Sequence, residues 1–188
     1  MKSLLFTYLF FVASSLFALD PVEFQVGGFS FARPSGWGWV VPTSTMRKAQ
    51  LEVVGEGGAK ADVTFFHFGV GQGGEVQANV DRWFGQFQNA KTSQNEVSVG
   101  GVRVVFVQAA GTFSSGMPGG PTTPLANYAL RGAILEDKEK GDVFVKMTGP
   151  ASLVESAWVA FEGMVNAAAS SKRVSTITSR ASATTRHE

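Results

Sequence analysis

Gly69–Asn89, GVGQGGEVQANVDRWFGQFQN, decides how this chain folds. An extended run, ADVTFFHF, leads into it, and a glycine cluster breaks that run. Beyond the glycines, Val76, Val80, Trp83, Phe84 and Phe87 recur at helical spacing on one face. Gln77, Asp81, Arg82, Gln86 and Gln88 occupy the other. An amphipathic helix must bury its apolar face against a neighbour, and the neighbours here are extended on both sides.

Upstream, Gly27-Gly28 turns between short extended pieces, and Phe29 and Phe31 alternate with Ser30 and Ala32, which reads as a strand with one buried face. Pro34-Ser35-Gly36 breaks it; Trp37–Val41 resumes an extended run that Pro42 stops. Ala49–Val54 and Ala61–Phe68 are strands joined through a turn at Gly55–Gly58. Ala61–Phe68 is apolar on both faces, which places it centrally with cover on each side. Downstream, Asn95–Val99 and Val102–Phe113 flank Gly100-Gly101, a hairpin signal. Ser114–Pro124 reads as a long loop, and Asn127–Glu136 and Asp142–Thr148 as a strand pair around the charged turn DKEKG. Pro150 can start a final helix whose stripe is Val154, Ala157, Trp158, Phe161, Met164 and Val165. Hairpins rather than strand–helix–strand repeats imply an α+β fold: a largely antiparallel sheet with two amphipathic helices packed on it.

A length of 188 residues suits one domain. Residues 1–18 read as a signal peptide: a basic start, then the apolar run Leu4–Phe17, too short to span a bilayer comfortably, with Ala18 at the cleavage position. An uncleaved anchor is the alternative. Residues 19–169 form the domain. Residues 170–188, rich in Ser, Thr and Ala, bury too little to offset their ordering entropy and read as a disordered tail. The chain has no cysteine, so it is not a lipoprotein and gains no disulfide. Between the signal and the tail lie 11 basic and 14 acidic residues, a balance that excludes a nucleic-acid binder.

The run Phe29-Ser-Phe31-Ala-Arg-Pro34-Ser-Gly-Trp37, an extended piece leading to a Pro-x-Gly-Trp corner, resembles the start of the Mog1/PsbP-like superfamily. So does the placement of the two helices, one after the first group of strands and one at the domain's end. The resemblance covers roughly residues 22–168 by pattern. It implies a sandwich of that type and a small non-enzymatic accessory or binding protein; members include a photosystem extrinsic subunit, a nuclear transport factor and bacterial secreted proteins of unknown role. It carries no functional residue over.

Gly69-x-Gly71-x-x-Gly74 has the spacing of a dinucleotide fingerprint, between a strand and a helix. The next extended segment is a Gly-Gly hairpin rather than a parallel strand ending in an acid, which argues for a backbone turn instead. Gly73 or Gly74 then needs a positive φ or close packing. His67 is the sole histidine of the body; as a catalytic base or metal ligand it would need Asp62, Glu75 or Asp81, which share no recognised spacing, and as a structural residue it closes a strand. Trp37 and Trp39, with Trp83 and Arg82, either line a ligand cleft, or Trp83 anchors the helix to the core while Trp37 and Trp39 cap a sheet edge. Met117, in the Ser114–Pro124 loop, offers a soft contact. Candidate binding residues are therefore Met117, Trp37, Trp39, Arg82 and His67, with no catalytic residue, metal ligand or cofactor.

The expected function is a secreted or periplasmic non-enzymatic binding or accessory domain. Its partner would be another protein or a small ligand, with no nucleic acid and no stable membrane span after signal cleavage. The alternatives are an enzyme using His67 with nearby carboxylates and a structural protein anchored in the envelope.

Overall fold

The computed structural model describes residues 22–115 and 123–184. The expected signal segment and Met117 lie outside these residues.

Strands β1 (Glu23–Val26) and β2 (Phe29–Ala32) form a separate hairpin. The main sheet comprises β3 (Gly38–Trp39), β4 (Arg47–Val54), β5 (Lys60–His67), β6 (Phe87–Val99), β7 (Val102–Ser115), β8 (Thr123–Leu135) and β9 (Val143–Pro150). Its order is β3-β4-β5-β9-β8-β7-β6, and every pairing is antiparallel. Helix α1 (Val76–Phe84) lies on one face; α2 (Ala151–Ser156) and α3 (Trp158–Thr184) follow β9. The α+β class and the antiparallel sheet are as the hairpin signals imply. No described helix is long and apolar enough to cross a membrane.

Strand alternation sends odd-numbered residues of β5 and β9, and of β4 from Ala49 on, to one face and even-numbered residues to the other; a bulge between Arg47 and Ala49 brings Arg47 opposite Phe66, onto the even face. The odd face is the main core. Leu51, Val63, Phe65, Val145 and Met147 meet Phe29 and Phe31 of the hairpin and Val154, Phe161 and Val165 of the terminal helices. On the even face, Val80 and Trp83 of α1 pack on Val105, Val107, Leu130, Ile134 and Phe144. Trp83 is 6% exposed. Its ring lies over bare backbone: a Cβ at Gly132 would sit 2.5 Å from Trp83 Cζ3.

Several expectations change. Phe87 is buried but belongs to β6, because the helix stops at Gly85; a buried residue at the head of a strand sits on the same core as Trp83, so spacing alone assigns it to the helix. The final helix is two, broken at Ala157. Helix α3 runs on to Thr184 through the segment read as a disordered tail; neither Gly nor Pro falls between Gly163 and Thr184 to end it. The loop Ser114–Pro124 is shorter than its composition suggests, since Ser114 pairs with Pro124 and Ser115 with Thr123.

Strand β5 is central, between β4 and β9, but not covered on both sides. Its odd face is buried through Ala61, Val63 and Phe65, whereas Asp62 on the even face is exposed and Phe66 half-buried. Helix α1 spans nine residues and rests over the β7–β9 side, so the even face of β4 and β5 has no helix above it.

Candidate functional site

The uncovered part of the even face is a pocket of about 590 Å³ between β4, β5, β9 and α1. Its walls are aromatic. Phe66 and Phe68 stack at 6.4 Å with 15° between ring planes; Phe68 approaches Phe144 at 5.9 Å, and Phe144 meets Trp83 edge-on at 6.5 Å. Met46 and Phe68 stand at the rim, 59% and 38% exposed.

Three cations enter this apolar setting from three elements: Arg47 of β4, Arg82 of α1 and Lys146 of β9. Among the described residues none of them makes an ion pair, although other surface cations do: Lys60 with Glu52, Arg103 with Glu96 and Glu136, and Arg131 with Glu155. The three are held by neutral groups instead. Arg47 Nη1 donates to Gln50 Oε1 at 2.8 Å, and Gln50 Nε2 donates to Asp62 Oδ1 at 3.2 Å, so the Asp62 carboxylate is one amide removed from the guanidinium. Lys146 Nζ donates to Gln86 Oε1 at 2.6 Å and lies 5.5 Å from the centre of the Phe113 ring. Burial pulls the Lys146 ammonium from its ordinary 10.5 down to about 8, and repulsion from Arg47 and Arg82 adds to the fall.

Asn79 organises the α1 side. It is 2% exposed, and its Nδ2 donates to the carbonyls of Gly73 and Glu75, each at 2.9 Å. Its Oδ1 accepts from Arg82 Nη2, which aims the guanidinium. The glycine turn meets both conditions expected of it. Gly74 has φ +74°, and a Cβ at Gly73 would meet the Phe144 ring at 2.8 Å. The segment after α1 is β6 at the far edge of an antiparallel sheet, so Gly69-x-Gly71-x-x-Gly74 does not sit in the parallel unit that a dinucleotide site requires.

Of the five candidate binding residues named from the sequence, Arg82 alone lines this pocket, with Trp83 beside it in the wall. Trp37 and Trp39 lie in the opposite core, where Trp39 packs on Phe24 at 5.3 Å, so they share no cleft with Trp83. His67 also faces away: it is in register with Val143, and its Nε2 donates to the Lys140 carbonyl at 2.7 Å. That bond commits the Nε2 proton to the backbone and ties the end of β5 to the DKEKG turn. Asp62 points to the other face of the sheet. Met117 lies outside the described residues. Among the described residues, no cluster of His, Cys, Asp and Glu is suited to a metal ion.

Sequence reasoning missed Arg47, Asn79 and Lys146. The legible signal was Lys146: a single lysine inside VFVKM, the run that becomes strand β9, interrupts an otherwise apolar stretch. Chemically, the arrangement attracts and orients an anion beside aromatic surface. It contains no nucleophile–base pair, since Arg47, Arg82 and Lys146 are its only titratable groups.

A second groove lies on the odd face beside β6 and β7, about 440 Å³ in volume. Of its two cations, Lys91 is exposed, and Arg131 is compensated: it pairs with Glu155 and lies 4.8 Å from the centre of the Trp158 ring.

The chain matches no protein-family model, and no curated protein matches it. Two solved structures are similar to it. A protein of unknown function from Pseudomonas aeruginosa shares 12% identity at a TM-score of 0.45, over 77% of this chain and 92% of that one. The cyanobacterial PsbP protein of Synechocystis shares 10% identity at a TM-score of 0.49, over 81% of this chain and 95% of that one. Neither brings the role of any residue to this chain.

Proposed function

We propose that the chain is an exported, non-enzymatic accessory domain of Mog1/PsbP-like type that acts by binding a ligand in the Arg47–Arg82–Lys146 pocket. The observation that carries this reading is the convergence of three unpaired cations on an aromatic pocket in a body with more acidic than basic residues. The desolvated, uncompensated ammonium of Lys146 costs stability, and a partner that supplies the opposite charge would offset that cost. The corner from Phe29 to Trp37 supports the superfamily assignment: Trp37 N–H donates to the Pro34 carbonyl at 3.2 Å, and Arg33 Nη1 donates to the Trp37 carbonyl at 3.1 Å. Export rests on the apolar run Leu4–Phe17 ahead of Ala18.

Anilinonaphthalene sulfonate, an anionic aromatic dye, tests the binding reading. Its fluorescence should rise and saturate with the native protein, and Arg82→Gln should weaken it at least about threefold by removing one charge-assisted contact. An equal signal in the variant, or none in the native protein, refutes the pocket as the site. Intact mass of exported protein should start at Leu19; retention of Met1 would instead give an anchored protein.

A further inference from the structure

We infer that the pocket selects a small molecule carrying a dianionic group, of the phosphate monoester kind, on a flat aromatic body. This rests on the binding reading above and adds the chemical class. The body of the ligand follows from the walls. Phe66 and Phe68 present a stacked pair, and Trp83 and Phe144 close the other side at an angle. With Met46 and Phe68 exposed at the rim, the apolar surface continues outward from the cations, so the ligand has an apolar part as well as a charge.

The charge of the head follows from counting. Arg47, Arg82 and Lys146 come from β4, α1 and β9, and among the described residues no carboxylate lines the pocket; Asp62, beyond Gln50, already accepts from it. One carboxylate would leave two of the three cations uncompensated. A phosphate monoester brings close to two negative charges above about pH 6 and three acceptor oxygens, enough for one to each cation. Two arginines supply planar forks and the lysine a point charge, a mixture suited to a tetrahedral oxyanion. Neutral acceptors hold the two arginines. Arg82 is held by Asn79 and Arg47 by Gln50, so both guanidinium groups are positioned before any ligand arrives.

The pH profile is a second readout. The phosphate needs its second proton removed, above about pH 6, and Lys146 must keep its own proton, below about 8. The charged groups facing Lys146 are Arg47 from β4 and Arg82 from α1. Affinity should therefore peak between these limits.

The experiment is isothermal titration of the full chain with phenyl phosphate, benzoate, phenol and inorganic phosphate. Phenyl phosphate should bind best, about tenfold or more above benzoate and inorganic phosphate, with phenol weakest; tenfold equals about 1.4 kcal/mol. Arg82→Gln, at an exposed helix position that leaves the fold intact, and Lys146→Met should each cost about tenfold or more, and doubling the salt should weaken the native complex. If the dye binds through Arg82 but phenyl phosphate is no tighter than benzoate, the dianion assignment fails and the binding reading stands. If inorganic phosphate equals phenyl phosphate, the aromatic body is wrong. If phenyl phosphate binds equally well to both variants, the ligand sits elsewhere and the inference is overturned.

Discussion

Replacing Lys146 with methionine should make this protein more stable, and only below alkaline pH. Methionine keeps most of the length of the lysine stem and drops the charge. In the folded chain the ammonium holds its proton only to about 8, against its ordinary 10.5, because it is buried beside Arg47 and Arg82. At about 1.4 kcal/mol for each tenfold change in proton affinity, the charged side chain costs the fold about 3 kcal/mol. Residual solvent at the pocket mouth lowers this to about 2 kcal/mol. The sign follows from proton counting. Between 8 and 10.5 the unfolded chain binds more protons at this residue than the folded chain, so the native protein gains stability as pH rises through that window. Below about 8 the penalty is present in full. The substitution also removes the bond to Gln86, but Gln86 is half-buried and can turn to water. Urea unfolding followed by tryptophan fluorescence, at pH 7 and at pH 10, gives both values. The methionine variant should lead by about 2 kcal/mol at pH 7 and by a few tenths at pH 10. A variant less stable than the native protein at pH 7, or a difference that ignores pH, would refute the reasoning.

Trp83→Ala removes the aromatic that fastens α1 to the sheet and should cost about 3–5 kcal/mol by the same urea assay; a loss under about 1 kcal/mol would mean the helix is held by something else. Gly132→Ala should push Trp83 off the β8 backbone and cost about 1–3 kcal/mol, with a changed tryptophan emission. Gly71→Ala, where the added methyl meets open space, should lose only about 1 kcal/mol, through its φ of +68°.

Elements with a strong local signal were legible in the sequence. Gly100-Gly101 marked the β6–β7 turn, with φ of +60° and +85°, and the alternation of Phe29 and Phe31 marked β2. The apolar positions Val80 and Trp83 announced a docked helix. Its end was not legible, because Phe87 serves the same core from a strand. The pocket was less legible still. Arg47, Arg82 and Lys146 are far apart along the chain, and none has a motif around it. What joins them is the pairing of β5 with β9, a long-range registration that single-sequence periodicity does not encode. The tryptophans misled for a related reason: Trp37, Trp39 and Trp83 look alike in sequence, and only strand parity divides Trp39 from the face that holds α1.

The strand order has a consequence for how the molecule could come apart. β3, β4 and β5 are consecutive in sequence, and so are β6 to β9; in the main sheet the two groups are stitched along the single line where β5 meets β9. The glycine-rich connection at 69–74 links them on the outside, four of its six residues exposed. Arg47, Phe66 and Phe68 belong to the first group; Asn79, Arg82, Phe144 and Lys146 belong to the second. An occupant of the pocket therefore acts as a rivet across a seam between two contiguous pieces of chain. A protein nicked at Gly71 should stay together as a complex of two fragments, and a pocket ligand should tighten that complex as a clamp tightens a joint.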